Sequence, residues 1–345
     1  MNAITPIAPV TKPDDWASDQ EVRWCPGCGD YAILKAVQRT MPDIGTAREN
    51  TVFVSGIGCS SRFPYYMETY GFHTIHGRAP AIATGIKLAN PDLDVWIVTG
   101  DGDGLSIGGN HMLHLLRRNL DVQLLLFNNE IYGLTKGQYS PTSQVGTKSP
   151  TTPFGSVDRP LAPCAFAMGA GARFVARTID TAQKNMPEVL KRAHAHKGTS
   201  FVEIFQNCVV YNDDVFAKFT AKKEAPANQI WVEHGKPLLF ANGSKGLRLD
   251  REHVRLSVID IVDGDVSQVL MHDETNHLLA QLLVEMPFGE FPKALGVLYC
   301  DPAPSFEAEV HIQNERITAG RSGDLGALLS KGQGWDVKPA RGPNL

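Results

Sequence analysis

The chain contains no apolar run approaching the roughly 18 residues that a membrane-spanning helix requires, so nothing in it reads as a span. Residues 1–15 are Pro-rich and lack the apolar segment of a secretory leader. A charge excess is also missing: 33 Lys and Arg against 37 Asp and Glu leave a net charge of −4 over 345 residues. That balance offers no electrostatic footprint for nucleic acid or for an anionic membrane surface. Six cysteines, Cys25, Cys28, Cys59, Cys164, Cys208 and Cys300, make a disulfide framework improbable in a cytosolic chain of this size. No internal repeat or low-complexity tract is present. The expectation is a soluble, cytoplasmic protein, and the cysteines are left to metal binding, redox chemistry or core packing.

What is present is an alternation of strand and helix. Thr51–Ser55, Val95–Thr99, Val122–Phe127, Arg173–Arg177 and Ser200–Gln206 read as buried strands. Between them, Arg78–Ala89, Ile107–Arg118, Leu161–Met168 and Thr181–His194 read as helices. This order predicts an α/β fold, a parallel sheet with helices on both faces. Residues 1–20 read as an N-terminal arm laid across a partner, 21–235 as the main domain, and 236–345 as a smaller C-terminal region with β-like runs at Val254–Val262 and Ala294–Tyr299 around a helix at Glu274–Glu285. A long polar loop, about Thr135 to Asp158, has the length of a functional loop.

Strand Val95–Thr99 runs into Gly100-Asp-Gly-Asp-Gly104. Ligands of parallel α/β sheets bind at the carboxyl ends of strands. Glycines there let the backbone approach a diphosphate, and the following helix turns its N-terminus to the anion. Asp101 supplies a hard oxygen, and Asn129, at the end of the next strand, supplies an amide oxygen; together they suit Mg²⁺ shared with diphosphate oxygens. A Rossmann fingerprint fails because Leu105 or Ile107 occupies the last glycine position, and an EF-hand fails because Leu105, Ser106 and Met112 occupy its key places. A tight turn without a ligand is the alternative for the pentapeptide alone. Gly100-Asp-Gly102, 25 residues, then Asn128-Asn129 and the tail to Gln138 resemble the thiamine diphosphate signature. That resemblance implies metal binding by Asp101, Asn129 and the Ile131 carbonyl.

Trp24-Cys-Pro-Gly-Cys-Gly29 places two thiols within reach of one metal centre, and by itself fits half a zinc site, a redox pair or half an iron–sulfur site. Cys59, just past strand Thr51–Ser55, and Cys208, just past strand Ser200–Gln206, are expected at the same sheet edge as Asp101 and Asn129. Cys164 and Cys300 read as small buried hydrophobes.

Together, Trp24–Gly29, Gly56-Ile-Gly-Cys-Ser-Ser61, His73-Thr-Ile-His-Gly-Arg78, Gly100–Gly104 and Gly133-Leu-Thr-Lys-Gly-Gln138 resemble the β subunits of 2-oxoacid:ferredoxin oxidoreductases, from about Asp14 to Phe216 and less distinctly to the end. The resemblance implies a [4Fe–4S] cluster on Cys25, Cys28, Cys59 and Cys208. It further implies thiamine diphosphate contacts from Ile57, Gly58, Cys59, Ser60, His76, Gly102, Asp103, Gly133 and Leu134. His76 is the candidate catalytic residue, with a helix-capping or core histidine as its alternative. Lys136 and Arg62 are candidates for the substrate's distal carboxylate, and a solvated loop charge is the alternative for Lys136. The implied reaction is coenzyme A-dependent oxidative decarboxylation, with electrons leaving singly to ferredoxin. The Leu-Thr-Lys-Gly-Gln string accompanies 2-oxoglutarate preference in this family; the alternatives are the same chemistry on pyruvate or a broad range of 2-oxoacids, or a non-redox thiamine decarboxylase subunit whose cysteines bind structural zinc. About 50 residues precede the first strand, too few for a second α/β domain, so a separate α subunit is expected to supply the glutamate that faces the aminopyrimidine.

Overall fold

A computed structural model describes residues 11–320, 323–332, 334, 335 and 337. In chain order its strands are β1 Thr51–Ser55, β2 Tyr70–His73, β3 Asp94–Gly100, β4 Gln123–Asn128, β5 Ile131–Tyr132, β6 Gln138–Tyr139, β7 Phe174–Ile179, β8 Ser200–Phe205, β9 Gln229–Val232, β10 Leu239–Phe240, β11 Lys245–Asp250, β12 Arg255–Asp260 and β13 Lys293–Cys300. Eight of them form one sheet in the order β2-β1-β3-β4-β8-β7-β13-β9. Every neighbouring pair is parallel except β13 against β7.

The strands are buried on both faces, and their side chains sort by alternation. Val52, Val54, Val95, Ile97, Leu124, Leu126, Val175 and Phe201 fill one face, under helices α2 Ala79–Ala89, α4 Gly109–Arg118, α5 Pro163–Gly169 and the helix His277–Glu285. Phe53, Trp96, Val98, Leu125, Phe127, Phe174, Val202 and Ile204 fill the other, under α1 Gly29–Ile44 and α6 Met186–Ala195. Helix α1 presents Ile33, Leu34, Val37 and Met41 to this core at helical spacing and stops at Gly45 in the left-handed region.

Three expectations change. The helix expected from Ile107 begins at Gly109, and Asp101–Leu105 forms its own five-residue helix, α3, directly after β3. The division expected at residue 235 separates no two bodies, because β9 and β13 extend the main sheet; the first compact unit runs on to Ala308, and residues from Glu309 form a second. Residues 236–308 add a three-stranded sheet, β10-β11-β12. Of the expected arm, residues 1–10 lie outside the described residues. Its remainder packs on its own chain: Trp16 is fully buried, its carbonyl accepts from Glu68 N at 2.9 Å, and the Ser18 hydroxyl donates to the Tyr65 carbonyl at 2.6 Å. Among the described residues no helix is long and apolar enough to cross a membrane.

The strand order positions the site. β1, β3, β4 and β8 are consecutive neighbours in the sheet, so the turns leaving their carboxyl ends lie side by side.

Candidate active site

Two carboxylates organise the end of β3. Asp103 is buried and accepts four hydrogen bonds: from Ile57 N at 3.0 Å, Gly77 N at 2.7 Å, His76 Nδ1 at 2.7 Å and the Thr99 hydroxyl at 2.7 Å. It therefore ties the turns after β1 and β2 to the end of β3. Gly56 must be glycine here, because a Cβ would lie 2.0 Å from Asp103 Oδ2. The Asp103 side chain is saturated by the protein. Asp101 is also buried, but both its hydroxyl partners, Ser140 at 2.6 Å and Thr142 at 2.5 Å, approach Oδ2. Burial pushes its carboxyl up to about 6, against the pull of these hydroxyls.

At the end of β4 the two asparagines diverge. Asn128 points into the protein and donates to Glu203 at 2.8 Å. Glu203 pairs with Arg177 Nε at 2.8 Å, both buried. Burial would raise the Glu203 carboxyl, but Arg177 and its hydrogen bonds outweigh that and hold it below its ordinary value. Asn129 turns the other way: its Oδ1 accepts from Ile131 N at 3.2 Å and its Nδ2 donates to Gln206 Oε1 at 2.7 Å. Glu130 between them adopts the left-handed region, φ 55°, which makes the reversal.

A cavity of about 460 Å³ opens at this edge. Its walls include Asp101, Asn129 and Ile131, together with Ile57, Gly58, Cys59, Ser60, His76, Gly102, Asp103, Gly133 and Leu134. Every residue expected to touch thiamine diphosphate or its metal thus comes to one cavity. The two expected substrate residues do not line it. Lys136 is exposed at the tip of the β5–β6 hairpin with φ 75°, and Arg62 donates to the Arg23 carbonyl at 3.1 Å.

A second cavity of about 210 Å³ is lined by Cys25, Cys28, Cys59 and Cys208, with Arg62 at its wall. All four are free thiols from three separate segments. Desolvation, Asp30 and the neighbouring thiols raise Cys28 and push Cys59 up to about 12. Burial that resists ionisation is what a bound cation reverses in thiolate sites, and four soft donors in one cavity match an iron–sulfur cluster or zinc. Among the described residues no three Cys, His, Asp or Glu side chains stand at metal-ligand spacing. The donor sets fit by chemistry and placement: Asp101 with amide and carbonyl oxygens for Mg²⁺, thiols for a cluster. The two cavities share Cys59, Asn129, Gly133, Leu134 and Gln206. Gly133 makes the approach close, since a Cβ there would lie 3.4 Å from Cys59 Sγ and 3.6 Å from Cys208 Sγ.

Sequence reasoning missed Ser140, Thr142, Gln206 and Asp30. The hydroxyls lie in the loop recognised as functional by length, and their clustering after the hairpin was the available signal. Asp30 follows the Cys28 motif, lines the larger cavity, has no hydrogen-bond partner on either oxygen, and is pushed by burial to about 7.

Comparison with known proteins agrees with this geometry. The family described as the thiamine pyrophosphate enzyme C-terminal TPP-binding domain matches residues 56–204. The 2-oxoglutarate oxidoreductase subunit KorB of Mycobacterium tuberculosis is 55% identical over 263 residues, 76% of this chain and 70% of that protein. Subunit beta of 2-oxoacid:ferredoxin oxidoreductase 1 of Aeropyrum pernix is 48% identical over 196 residues, 57% of this chain and 62% of that protein. A solved structure of 2-oxoglutarate:ferredoxin oxidoreductase from Magnetococcus marinus, with 2-oxoglutarate, coenzyme A and succinyl-CoA bound, superposes with TM-score 0.75 at 34% identity, covering 93% of this chain and 97% of that one.

Proposed function

We propose, from the premise that this chain belongs to the β subunits of the 2-oxoacid:ferredoxin oxidoreductases, that with a separate α subunit it converts 2-oxoglutarate and coenzyme A to succinyl-CoA and carbon dioxide, passing electrons singly to ferredoxin. The observation that carries this reading is the common wall of the two cavities: a four-thiol site abuts a diphosphate-type site through Cys59, Asn129, Gly133, Leu134 and Gln206. A decarboxylase without redox chemistry has no use for such a neighbour. The 2-oxoglutarate named for the Mycobacterium relative and bound in the Magnetococcus enzyme supports the choice of substrate.

Thiamine diphosphate, when bound, supplies a carbon nucleophile and electron sink, and a [4Fe–4S] cluster supplies one-electron acceptance. Asp101, Asn129 and the Ile131 carbonyl would hold a Mg²⁺ ion for the diphosphate; Asp101 keeps Oδ1 clear of the hydroxyls gathered on Oδ2. Ile57, Gly58, Ser60, Gly102, Asp103, Gly133 and Leu134, which line the larger cavity, would contact the cofactor, and Cys25, Cys28, Cys59 and Cys208, which line the smaller, would hold the cluster. The His76 Nδ1–H is committed to Asp103, so Nε2 is the ring atom left to hold or release a proton at the substrate. Lys136 is assigned the distal carboxylate of 2-oxoglutarate, with Arg62 as the alternative cation.

The test is an anaerobic assay of the chain with its α partner, coenzyme A and ferredoxin, on 2-oxoglutarate, pyruvate and 2-oxobutyrate. Ferredoxin reduction should require coenzyme A, and kcat/KM should favour 2-oxoglutarate by roughly tenfold or more. Protein that carries zinc and no iron, or that decarboxylates without reducing ferredoxin, overturns the reading.

A further inference from the structure

Gln206 stands between the two cavities and lines both. It follows β8 directly and is 1% exposed. Its backbone N–H donates to the Asn128 carbonyl at 2.9 Å, which binds the carboxyl end of β8 to that of β4. Its side chain reaches in two directions. Oε1 accepts from Asn129 Nδ2 at 2.7 Å. Nε2 donates to Cys28 Sγ at 3.3 Å and to the Asn207 carbonyl.

The orientation of this amide is determined from both ends. Ile131 N is an obligatory donor and points at Asn129 Oδ1, so the Asn129 NH₂ must face Gln206. The Asn207 carbonyl is an obligatory acceptor, so the Gln206 NH₂ must face it and its second N–H falls on Cys28. Swapping either amide would set donor against donor or acceptor against acceptor in a buried place, at a cost of about 1–3 kcal/mol for each unmatched group. Among the described residues that line both cavities, Gln206 alone hydrogen-bonds to a side chain of each donor set.

We propose that Gln206 is a positioning residue that couples the two cofactor sites: it holds the Asn129 amide in the orientation that ligates the cation, and gives one N–H to the cluster sulfur of Cys28. The inference rests on the cation and cluster assignments made above. Its consequences follow from the direction of the two bonds. An N–H aimed at a cluster thiolate favours the reduced, more negative cluster and raises its reduction potential. An acceptor at Asn129 Nδ2 joins the Ile131 N–H at Oδ1 in fixing the rotation of this amide. One side chain therefore serves both the affinity of the diphosphate site and the electron affinity of its neighbour.

Gln206→Met keeps the length of the side chain and removes both hydrogen bonds; Gln206→Glu keeps the acceptor for Asn129 and removes the donor. Both are made in the complex with the α partner, and iron is measured in each. Wild-type protein labelled with ¹⁵N-glutamine should show nitrogen and exchangeable-proton couplings to the reduced cluster by pulsed electron paramagnetic resonance. Gln206→Met should lose both couplings with iron retained, and its midpoint in a redox titration should move to more negative potential. Its thiamine diphosphate affinity at fixed Mg²⁺ should fall about tenfold, whereas Gln206→Glu should lose the couplings and hold that affinity within about threefold. Should Gln206→Met lose its iron or its fold, the couplings in Gln206→Glu decide the matter. Couplings and midpoint unchanged in an iron-replete variant overturn the inference alone. Wild-type protein with zinc in place of iron overturns the functional reading and the inference with it.

Discussion

At the diphosphate edge Asp103 gathers four protein donors and Asp101 two. In the neighbouring cavity Cys28 receives a side-chain hydrogen bond from Gln206, and among the described residues Cys25, Cys59 and Cys208 receive none at sulfur. The difference is one of chemistry. A buried carboxylate must be partnered or its burial is costly, so evolution of an oxygen site builds its cage from the protein first. A neutral thiol is a weak donor that tolerates apolar surroundings, so a thiol site can wait for its metal to define it. On the proposed assignments, the oxygen site is held by the chain's own hydrogen bonds, and the sulfur site would be closed by the cluster it receives.

Single substitutions should separate the two regions, and Asp101 is expected to give the largest effect. Asp101→Ala removes the proposed charged oxygen ligand and the acceptor shared by the Ser140 and Thr142 hydroxyls, leaving Thr142 the Asn128 Oδ1 at 3.0 Å. Ferredoxin reduction by the complex should fall about a thousandfold or more, with thiamine diphosphate binding lost and iron content unchanged. Loss of iron from this variant would show that the sulfur site depends on the oxygen site, and would break the comparison. Cys25→Ala is the reciprocal change, at the exposed thiol that lines one cavity only. Iron and absorption near roughly 400 nm should be lost, while thiamine diphosphate affinity stays within about threefold. Asp103→Ala comes next. It strands the N–H groups of Ile57 and Gly77 and the Thr99 hydroxyl, and should lower stability by about 3–5 kcal/mol in denaturant titration, an effect no cysteine variant of the cofactor-free chain should match.

The same contrast explains what the sequence disclosed. The parallel sheet was legible because β1, β3 and β4 carry continuous apolar runs and β8 an apolar run broken only by Glu203, and the strand ends carried Asp101, Cys59, Asn129 and Cys208 to one edge by topology alone. Ligands are conspicuous in a sequence because few residue types can do their work. Residues that support the expected ligand side chains are ordinary: Gln206 acts through distances set by the fold with nothing in its local sequence to announce it, and for Ser140 and Thr142 the one signal was a cluster of hydroxyls in a long loop. Helix α1, which begins at Gly29 directly after the cysteine motif, has no counterpart among the helices read from the sequence. The C-terminal strands were read as a separate domain because β9 and β13 join the main sheet across long sequence gaps, a pairing that local pattern does not encode. Asp103 was expected as a cofactor contact; the part its carboxylate plays in tying the turns after β1 and β2 to the end of β3 was not legible.

Protonation offers a subtler test of the oxygen site. Burial pushes Asp101 up to about 6 and Asp30 and Glu130 up to about 7. Carboxyls raised in the folded state bind protons more tightly there than in the unfolded chain. Stability of the cofactor-free chain should therefore decline as pH rises from about 4 to about 7 and level off above, the reverse of a salt-bridged carboxylate. Mg²⁺ favours the ionised form of Asp101, so Mg²⁺-dependent cofactor affinity should increase as pH rises through about 6, with proton uptake by the buffer in calorimetry. Affinity that is flat across this range would mean that Asp101 is not the group the cation displaces a proton from.

The smallest expected effect belongs to Lys136, which lines neither cavity and stands on the exposed hairpin tip. Its assignment to the distal carboxylate predicts a change in substrate discrimination, not in chemistry. Lys136→Ala should raise KM for 2-oxoglutarate about tenfold, the range of one charge-assisted hydrogen bond, and leave kcat and the KM for pyruvate within about threefold. The backbone offers a competing explanation, because Lys136 sits at φ 75°, where any residue with a Cβ bears about 1–2 kcal/mol of strain, and trimming its side chain can let the hairpin relax. A distorted hairpin would move Gly133 and Leu134, which line both cavities, and would raise KM for both substrates alike. Lys136→Arg resolves the two, since it keeps the charge and the backbone preference of a long side chain. Recovery of 2-oxoglutarate KM by arginine, with pyruvate unmoved throughout, places the charge of residue 136 on the substrate; equal losses for both acids assign the residue to the hairpin instead.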